Sequence, residues 1–454
     1  MKQNAVLVGI QLPKTTPEEL QGSLLELSRL VDTLGFEVIG QVTQKRDSDK
    51  SPTLLGEGKL LELAQLTGGS GKVAPTFKRI KTKAQLKRES KEELVTEIQQ
   101  APPKSSKRAQ IVIVDHDLSP SQIRNVETAV GVAVLDRTGV IIEIFSRHAK
   151  TRAAKLQVEI ARLNYVAPRI REASAGGEDR RAGGIGAKGA GESATELDKR
   201  RIRDRLKELK AELETINNEH NIRRARRQKE ATVALVGYTN AGKSSLMRAL
   251  TGTAVLVADQ LFATLDTTIR PLYPETRPKI LVSDTVGFIK KLPHDLVASF
   301  KSTLDEATNA SLLVYVVDAS DPAFRSQLEV TKKVLSEVGA GEIPNILVLN
   351  KKDLLSSEEL KALEKEFTKA LFISTHSPRD IKNLSENIIG FFEQGMTEKV
   401  IFVPYLAEGM IGEIRSRMRV LSEDYADDGV NLRVRGISEE ISLMEKKLKS
   451  KLSS

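Results

Sequence analysis

Ala231-Thr232-Val233-Ala234-Leu235-Val236 runs directly into Gly237-Tyr238-Thr239-Asn240-Ala241-Gly242-Lys243-Ser244, and then into Ser245-Leu246-Met247-Arg248-Ala249-Leu250. The first block is a short apolar run of strand character, and the third opens with helical spacing. Between them stands G-x-x-x-x-G-K-[ST], a loop whose backbone N–H groups and following helix N-terminus cradle phosphates. Strand, loop and helix in this order predict an α/β phosphate-loop domain with a nucleoside triphosphate as ligand.

Two further boxes narrow the base. Lys279-Ile280-Leu281-Val282-Ser283 leads into Asp284-Thr285-Val286-Gly287, and Asn345-Ile346-Leu347-Val348-Leu349 leads into Asn350-Lys351-Lys352-Asp353. These are D-x-x-G and N-K-x-D, each at a strand end, where ligands of open α/β sheets bind. Lys243 is expected to neutralise charge on the β- and γ-phosphates, while Ser244 and Asp284 are candidate Mg²⁺ ligands. The Gly287 amide can approach the γ-phosphate because no Cβ intervenes. Asp353 can accept from the ring N–H and exocyclic amine of guanine, so GTP and GDP are favoured over adenine nucleotides; Asn350 would fix the loop and the Lys351 stem would lie along the base. Ser374-Thr375-His376, after the strand-like Ala370-Leu371-Phe372-Ile373, would offer a backbone amide to the guanine carbonyl. Phe262-Ala263-Thr264-Leu265-Asp266-Thr267-Thr268 is a threonine-bearing segment of the kind that orders around γ-phosphate and Mg²⁺; spacing leaves Thr264, Thr267 and Thr268 as alternatives for the metal.

Phe262 to Asp266, then Asp284-Thr285-Val286-Gly287-Phe288-Ile289, then Leu292-Pro293-His294-Asp295-Leu296-Val297 resemble the G domain of the HflX family of translational GTPases. Upstream, Leu55-Gly56-Glu57-Gly58-Lys59, Leu135-Asp136-Arg137-Thr138-Gly139, Ile142-Glu143-Ile144-Phe145, Lys155-Leu156-Gln157-Val158-Glu159 and Gly183-Gly184-Ile185-Gly186 with Gly189 and Gly191-Glu192 are similar to the same family. The resemblance implies Thr264 as the second protein ligand to Mg²⁺. It further implies a GTPase that binds the large ribosomal subunit and ribosomal RNA and splits stalled or idle ribosomes. The alternative is a GTP-regulated RNA-binding or ribosome-assembly factor that uses hydrolysis only for release. Asn240 is similar to the phosphate-loop asparagine that ligates K⁺ in some related GTPases, or else shapes the turn. Phe288 stands where Ras-like proteins place the glutamine that orients the attacking water, so hydrolysis by the chain alone is expected to be slow.

The expected fold class is α/β. A P-loop GTPase domain at 231–395 is preceded by a small parallel α/β domain at 1–143 with a basic insertion and by an antiparallel helical hairpin at 144–230; a short α/β tail occupies 396–454. In the first domain, strands Ala5 to Pro13, Glu37 to Thr43, Gln110 to Asp115 and Val132 to Asp136 alternate with helices such as Leu24 to Leu34 and Ser121 to Val130. Gly56-Glu57-Gly58-Lys59 lacks the full phosphate-loop spacing and reads as a helix entry. The hairpin shows two seams stepping by four and three: Ala149, Ala153, Leu156, Ile160 and Leu163, then Ile202, Leu206, Leu209, Leu213 and Ile216.

From Arg147 to Glu230 there are 22 Lys and Arg against 13 Asp and Glu, a net of +9 that equals the formal charge of all 454 residues. A basic hairpin with a Gly-rich tip suits insertion among RNA phosphates. The tip departs from the family at Ala190, where a proline is usual, and the basic insertion from Lys78 to Arg108 is a further departure. Without cysteine there is neither a disulfide nor a thiolate metal site, and no run of about 18 uncharged apolar residues can span a membrane. A cytoplasmic monomer is expected.

Overall fold

The computed structural model describes residues 2–73, 108–175, 194–227, 230–252, 261–262, 268–290, 306–407 and 409–452. The basic insertion as far as residue 107, the hairpin tip from 176 to 193, the Ala263 to Thr267 segment and His294 lie outside the described residues.

The chain opens with β1 (Gln3–Gln11), α1 (Pro17–Thr33), β2 (Phe36–Lys45), α2 (Glu57–Thr67), β3 (Ile111–Val114), α3 (Pro120–Val130), β4 (Ala133–Asp136) and α4 (Arg137–His148). The four strands pair in parallel in the order β2-β1-β3-β4. Ala5, Val6, Leu7 and Val8 of β1 and all of β3 are buried, as a parallel sheet covered on both faces requires. Helices α1 and α4 pack together, and α2 packs on α3. Capping boxes at Thr16 with Glu19 and Ser119 with Gln122 start α1 and α3. Gly56 is the N-cap of α2, so Gly56-Glu57-Gly58-Lys59 is a helix entry, as its spacing predicts.

Helix α4 runs unbroken through residue 143, where the sequence reading ended the first domain. The helices α5 (Arg152–Ala175) and α6 (Ala194–Arg227) follow it. The described residues form two compact units that meet in sequence at Glu214 and Thr215, so the hairpin's root belongs with the first sheet. The reason is a second buried face on α5. Besides the seam residues Leu156 and Ile160, α5 buries Ala154, Gln157, Val158 and Ala161, and it packs on α3 and α4. A buried polar cluster reinforces the joint. The Asp136 carboxylate accepts from Tyr165 Oη at 2.6 Å, Arg169 Nη2 at 2.9 Å and the Gly139 N–H at 2.8 Å, while the Arg169 guanidinium stacks 3.2 Å from the Tyr165 ring centroid. Across the hairpin, Arg152 pairs with Glu212 and Arg205 with Glu159. Each step of seven residues up α5 is matched by seven down α6, the antiparallel pairing the seams predict.

Arg137 lies at the start of α4, nearly without exposure, with Nη1 at 2.7 Å from the buried Asp115 and Nη2 donating to Glu26. Burial would push its pKa down, but the two carboxylates outweigh that and hold it above the ordinary arginine value. Arg137→Met deprives the fully buried Asp115 of its compensating cation. The expected cost is about 3–5 kcal/mol, measured as the shift in the first urea transition of the full chain; a loss below about 1 kcal/mol would refute it.

The second unit is built on a six-stranded sheet. After β5 (Ala231–Gly237) come α7 (Lys243–Thr251), β6 (Thr268–Pro271), β7 (Ile280–Asp284), β8 (Leu312–Asp318), α8 (Phe324–Glu337), β9 (Asn345–Asn350), α9 (Ser357–Glu366), β10 (Leu371–Phe372) and α10 (Pro378–Glu393). The order is β10-β9-β8-β5-β7-β6, parallel except where β6 meets β7. Leu246, Met247 and Leu250 of α7 and Leu384 and Ile388 of α10 share one buried cluster with Val233 and Leu235. A smaller antiparallel sheet, β11 (Thr397–Pro404), β13 (Gly429–Gly436) and β12 (Arg419–Tyr425), completes the unit with α11 (Gly409–Arg417) and α12 (Ser438–Leu452), which cover one face through Met410, Ile414, Ile441 and Met444. No helix among the described residues is long and apolar enough to cross a membrane.

Candidate functional site: a nucleotide cradle at five strand ends

Because β5, β7, β8, β9 and β10 run parallel, their last residues fall along one edge: Gly237, Asp284, Asp318, Asn350 and Phe372. Four of the sequence boxes therefore converge there without long-range adjustment. At Gly237 the chain leaves β5 and turns through Asn240, which is exposed with φ 61°, into Gly242 with φ 92°, the N-cap of α7. A side chain on Gly242 would collide with the Asn350 amide. Asn350 itself is buried and its Nδ2 donates to Ala241 O at 2.9 Å, so the last residue of β9 clamps the phosphate loop.

Lys243 is buried and its Nζ donates to Gly237 O at 3.0 Å and Tyr238 O at 2.7 Å. Burial pushes its ammonium down to about 8, with Asp284 opposing. A desolvated cation whose hydrogen-bond partners are carbonyls is an anion-seeking group. Ser244 Oγ donates to Asp284 Oδ2 at 2.8 Å. This hydroxyl and carboxylate form a hard-oxygen pair at the foot of the loop, donor chemistry that fits Mg²⁺. A Cβ on Gly287 would stand 3.0 Å from Lys243 Nζ and 2.8 Å from Thr239 Cγ2, which explains the glycine by close approach. Buried Thr239 Oγ1 and Asn350 Oδ1 have no hydrogen-bond partner among the described residues, as expected where a ligand or ordered water completes the site.

Some candidates do other work. Thr285 is fully buried and its Oγ1 donates to Leu235 O at 2.7 Å, tying β7 to β5 rather than facing the cradle. Phe288 is 2% exposed, and its peptide is clasped to the loop: its N–H donates to Gly237 O at 3.1 Å and its carbonyl accepts from Thr239 N–H at 2.8 Å. The Ser374 N–H is taken by Asp380 at 3.0 Å and the His376 N–H by Ser374 Oγ at 3.3 Å. Of the three amides in that loop, Thr375 is the one with no hydrogen bond to the described residues. Phe262 is buried with φ 60°, while Ala263 to Asp266 lie outside the described residues.

Two carboxylates were not read from the sequence. Asp318 ends β8 and accepts from Lys351 Nζ at 2.6 Å and from Ser320 Oγ at 2.6 Å. Asp380, in the first turn of α10, accepts from Lys352 Nζ at 2.7 Å. Position at a strand end was the available signal for Asp318; Asp380 looks like ordinary acidic charge at a helix start.

Family models match along the chain: GTP-binding GTPase N-terminal over 21–73 and 69–146, GTP-binding GTPase Middle Region over 148–227, and 50S ribosome-binding GTPase over 232–351. A curated protein of Gluconacetobacter diazotrophicus, named GTPase HflX, is 55% identical over 444 residues, covering 98% of this chain and 97% of that protein. The chain belongs to the HflX family of GTPases. The HflX protein of Caldanaerobacter subterraneus is 38% identical, covering 95% of this chain and 90% of that protein, and the one of Escherichia coli K12 is 34% identical, covering 95% and 93%. Among solved structures, the GDP complex of SsGBP aligns over 87% of this chain and 99% of that chain at 22% identity and a TM-score of 0.43, a likeness too low to carry an inference. As a member of this family, the chain is a GTPase.

Proposed function

We propose that this GTPase binds the large ribosomal subunit and its RNA in the GTP state and splits stalled or idle ribosomes, acting as a cytoplasmic monomer. The observation that carries the reading is the hairpin. It is a basic, ion-paired two-helix arm that precedes β5 in the sequence, and Arg200, Arg201, Arg203, Lys207 and Lys210 stand exposed along α6. Phosphate neutralisation by such a row supplies salt-sensitive affinity for RNA. A match to a model described as 50S ribosome-binding GTPase supports the same reading.

In the site, Lys243 and the amides from Asn240 to Ser245 hold the β- and γ-phosphates, the Thr239 N–H being engaged by Phe288 O, and the Gly287 amide meets the γ-phosphate. Ser244, Asp284 and Thr264 would hold Mg²⁺, which when bound neutralises charge on the phosphate oxygens. Asp353 reads the guanine edge, Lys351 lies beside the base and Thr375 offers its amide to the guanine carbonyl. Asn240, at the exposed tip of the loop, is the candidate K⁺ ligand.

The test is sedimentation of intact ribosomes through sucrose with this protein and a non-hydrolysable GTP analogue. Separation into subunits in a GTP-dependent manner is expected; intact ribosomes carrying the bound protein would overturn splitting and favour the RNA-binding or assembly-factor reading.

A further inference from the structure

The geometry points to Asp380 as the side chain that ties the two base-reading loops together beyond their strand pairing, and so as a positioning residue for guanine selection. This rests on the reading of Asp353 and Thr375 above. Guanine is recognised by groups from two separate loops, one after β9 and one after β10, and their distance apart must be fixed to well within a hydrogen-bond length for both to engage one base. Backbone pairing fixes the roots of the two loops, where β9 meets β10 and the Lys352 N–H donates to Ile373 O at 3.2 Å; beyond that point a side chain ties them.

Asp380 joins them. One oxygen accepts from Lys352 Nζ at 2.7 Å, next to Asp353; the other accepts from the Ser374 N–H at 3.0 Å, next to Thr375. Its own backbone is anchored because its N–H donates to the N-cap Ser377 Oγ at 3.4 Å. Burial would push its carboxyl up, but Lys352 and the Ser374 amide outweigh burial and hold it below the ordinary aspartate value. It is thus an ionised, two-handed acceptor at neutral pH.

The opposite side of the loop is anchored too. Lys351, in the left-handed region with φ 63°, reaches Asp318 on β8, whereas Lys352 reaches Asp380 on α10. Consecutive lysines pull to opposite anchors, and the turn that follows leaves Asp353 exposed. Asp380 therefore acts through Asp353 and Thr375 and touches no reacting atom.

The experiment uses the full chain and measures dissociation constants for GDP and IDP, which lacks the exocyclic amine, with kcat and KM for GTP. Asp380→Ala is expected to weaken GDP about tenfold, the scale of a lost charge-assisted hydrogen bond, to narrow the GDP-to-IDP ratio, and to raise KM more than it lowers kcat. Lys352→Met, a half-exposed change that leaves α10 intact, is expected to do the same. The double variant should be no worse than either single, because both remove one link. Asp353→Ala separates the possible failures. If it leaves the GDP-to-IDP ratio unchanged, the base-loop reading falls. If it collapses the ratio while Asp380→Ala and Lys352→Met do not, only the role of Asp380 is overturned.

Discussion

Lys243→Ala is expected to lower kcat/KM for GTP by about 10²–10³ or more, the scale seen when a preorganised charge-stabilising donor is removed. The structure argues for a large effect. Lys243 is buried, its ammonium is pushed down to about 8, and it spends its hydrogen bonds on Gly237 O and Tyr238 O. Among the described residues Asp284 is the one charge that opposes the effect of burial on Lys243, so a polyphosphate is the partner that makes the burial favourable. Alanine removes the charge and also frees the two carbonyls that shape the loop. Both kcat/KM and GDP affinity should therefore fall together, while the melting temperature of the nucleotide-free chain changes little or rises, since a desolvated cation has gone. Turnover within tenfold of the parent would mean that the loop does not serve the hydrolytic site.

What the sequence disclosed, and what it did not, follows the range of the interactions. Gly237 to Ser244, Asp284 to Gly287 and Asn350 to Asp353 are each local in sequence and each closes a strand, so one parallel sheet suffices to bring them together. The hairpin seams were readable for the same reason, save at Ala149, which ends α4 instead of joining α5: four-three spacing encodes each helix's facing stripe, and Arg152 with Glu212 and Arg205 with Glu159 pair in antiparallel register. The second buried face of α5 was not readable as such. Ala154, Gln157, Val158 and Ala161 include a glutamine and two alanines, a pattern with little apolar contrast, and their burial depends on α3 and α4 arriving from elsewhere. Asp318 and Asp380 escaped because each works by reaching a lysine across the fold, at separations of 33 and 28 residues that no local pattern marks.

Turnover by the chain alone is expected to be slow, and large ribosomal subunits are expected to raise it on the order of 10³-fold, the low end of what a group supplied in trans contributes to phosphoryl transfer. The sequence suggests this by placing Phe288 where a water-orienting glutamine stands in Ras-like proteins. The structure makes the deficit harder to repair than a missing amide. Phe288 is 2% exposed and both polar groups of its backbone are engaged by Gly237 and Thr239, so the direction of its side chain is fixed by the clasp to the phosphate loop. Phe288→Gln should therefore leave the unstimulated rate unchanged, because the new amide enters the interior rather than the space beside the γ-phosphate. It should also destabilise the fold by about 1–3 kcal/mol, the cost of a buried polar group without partners. Steady-state phosphate release, measured for parent and variant with and without large subunits, decides the matter. A variant that hydrolyses GTP rapidly alone would show that the side chain does reach the water. A parent that ribosomal subunits fail to stimulate would remove the partner from the catalytic step and leave hydrolysis as a timer for release.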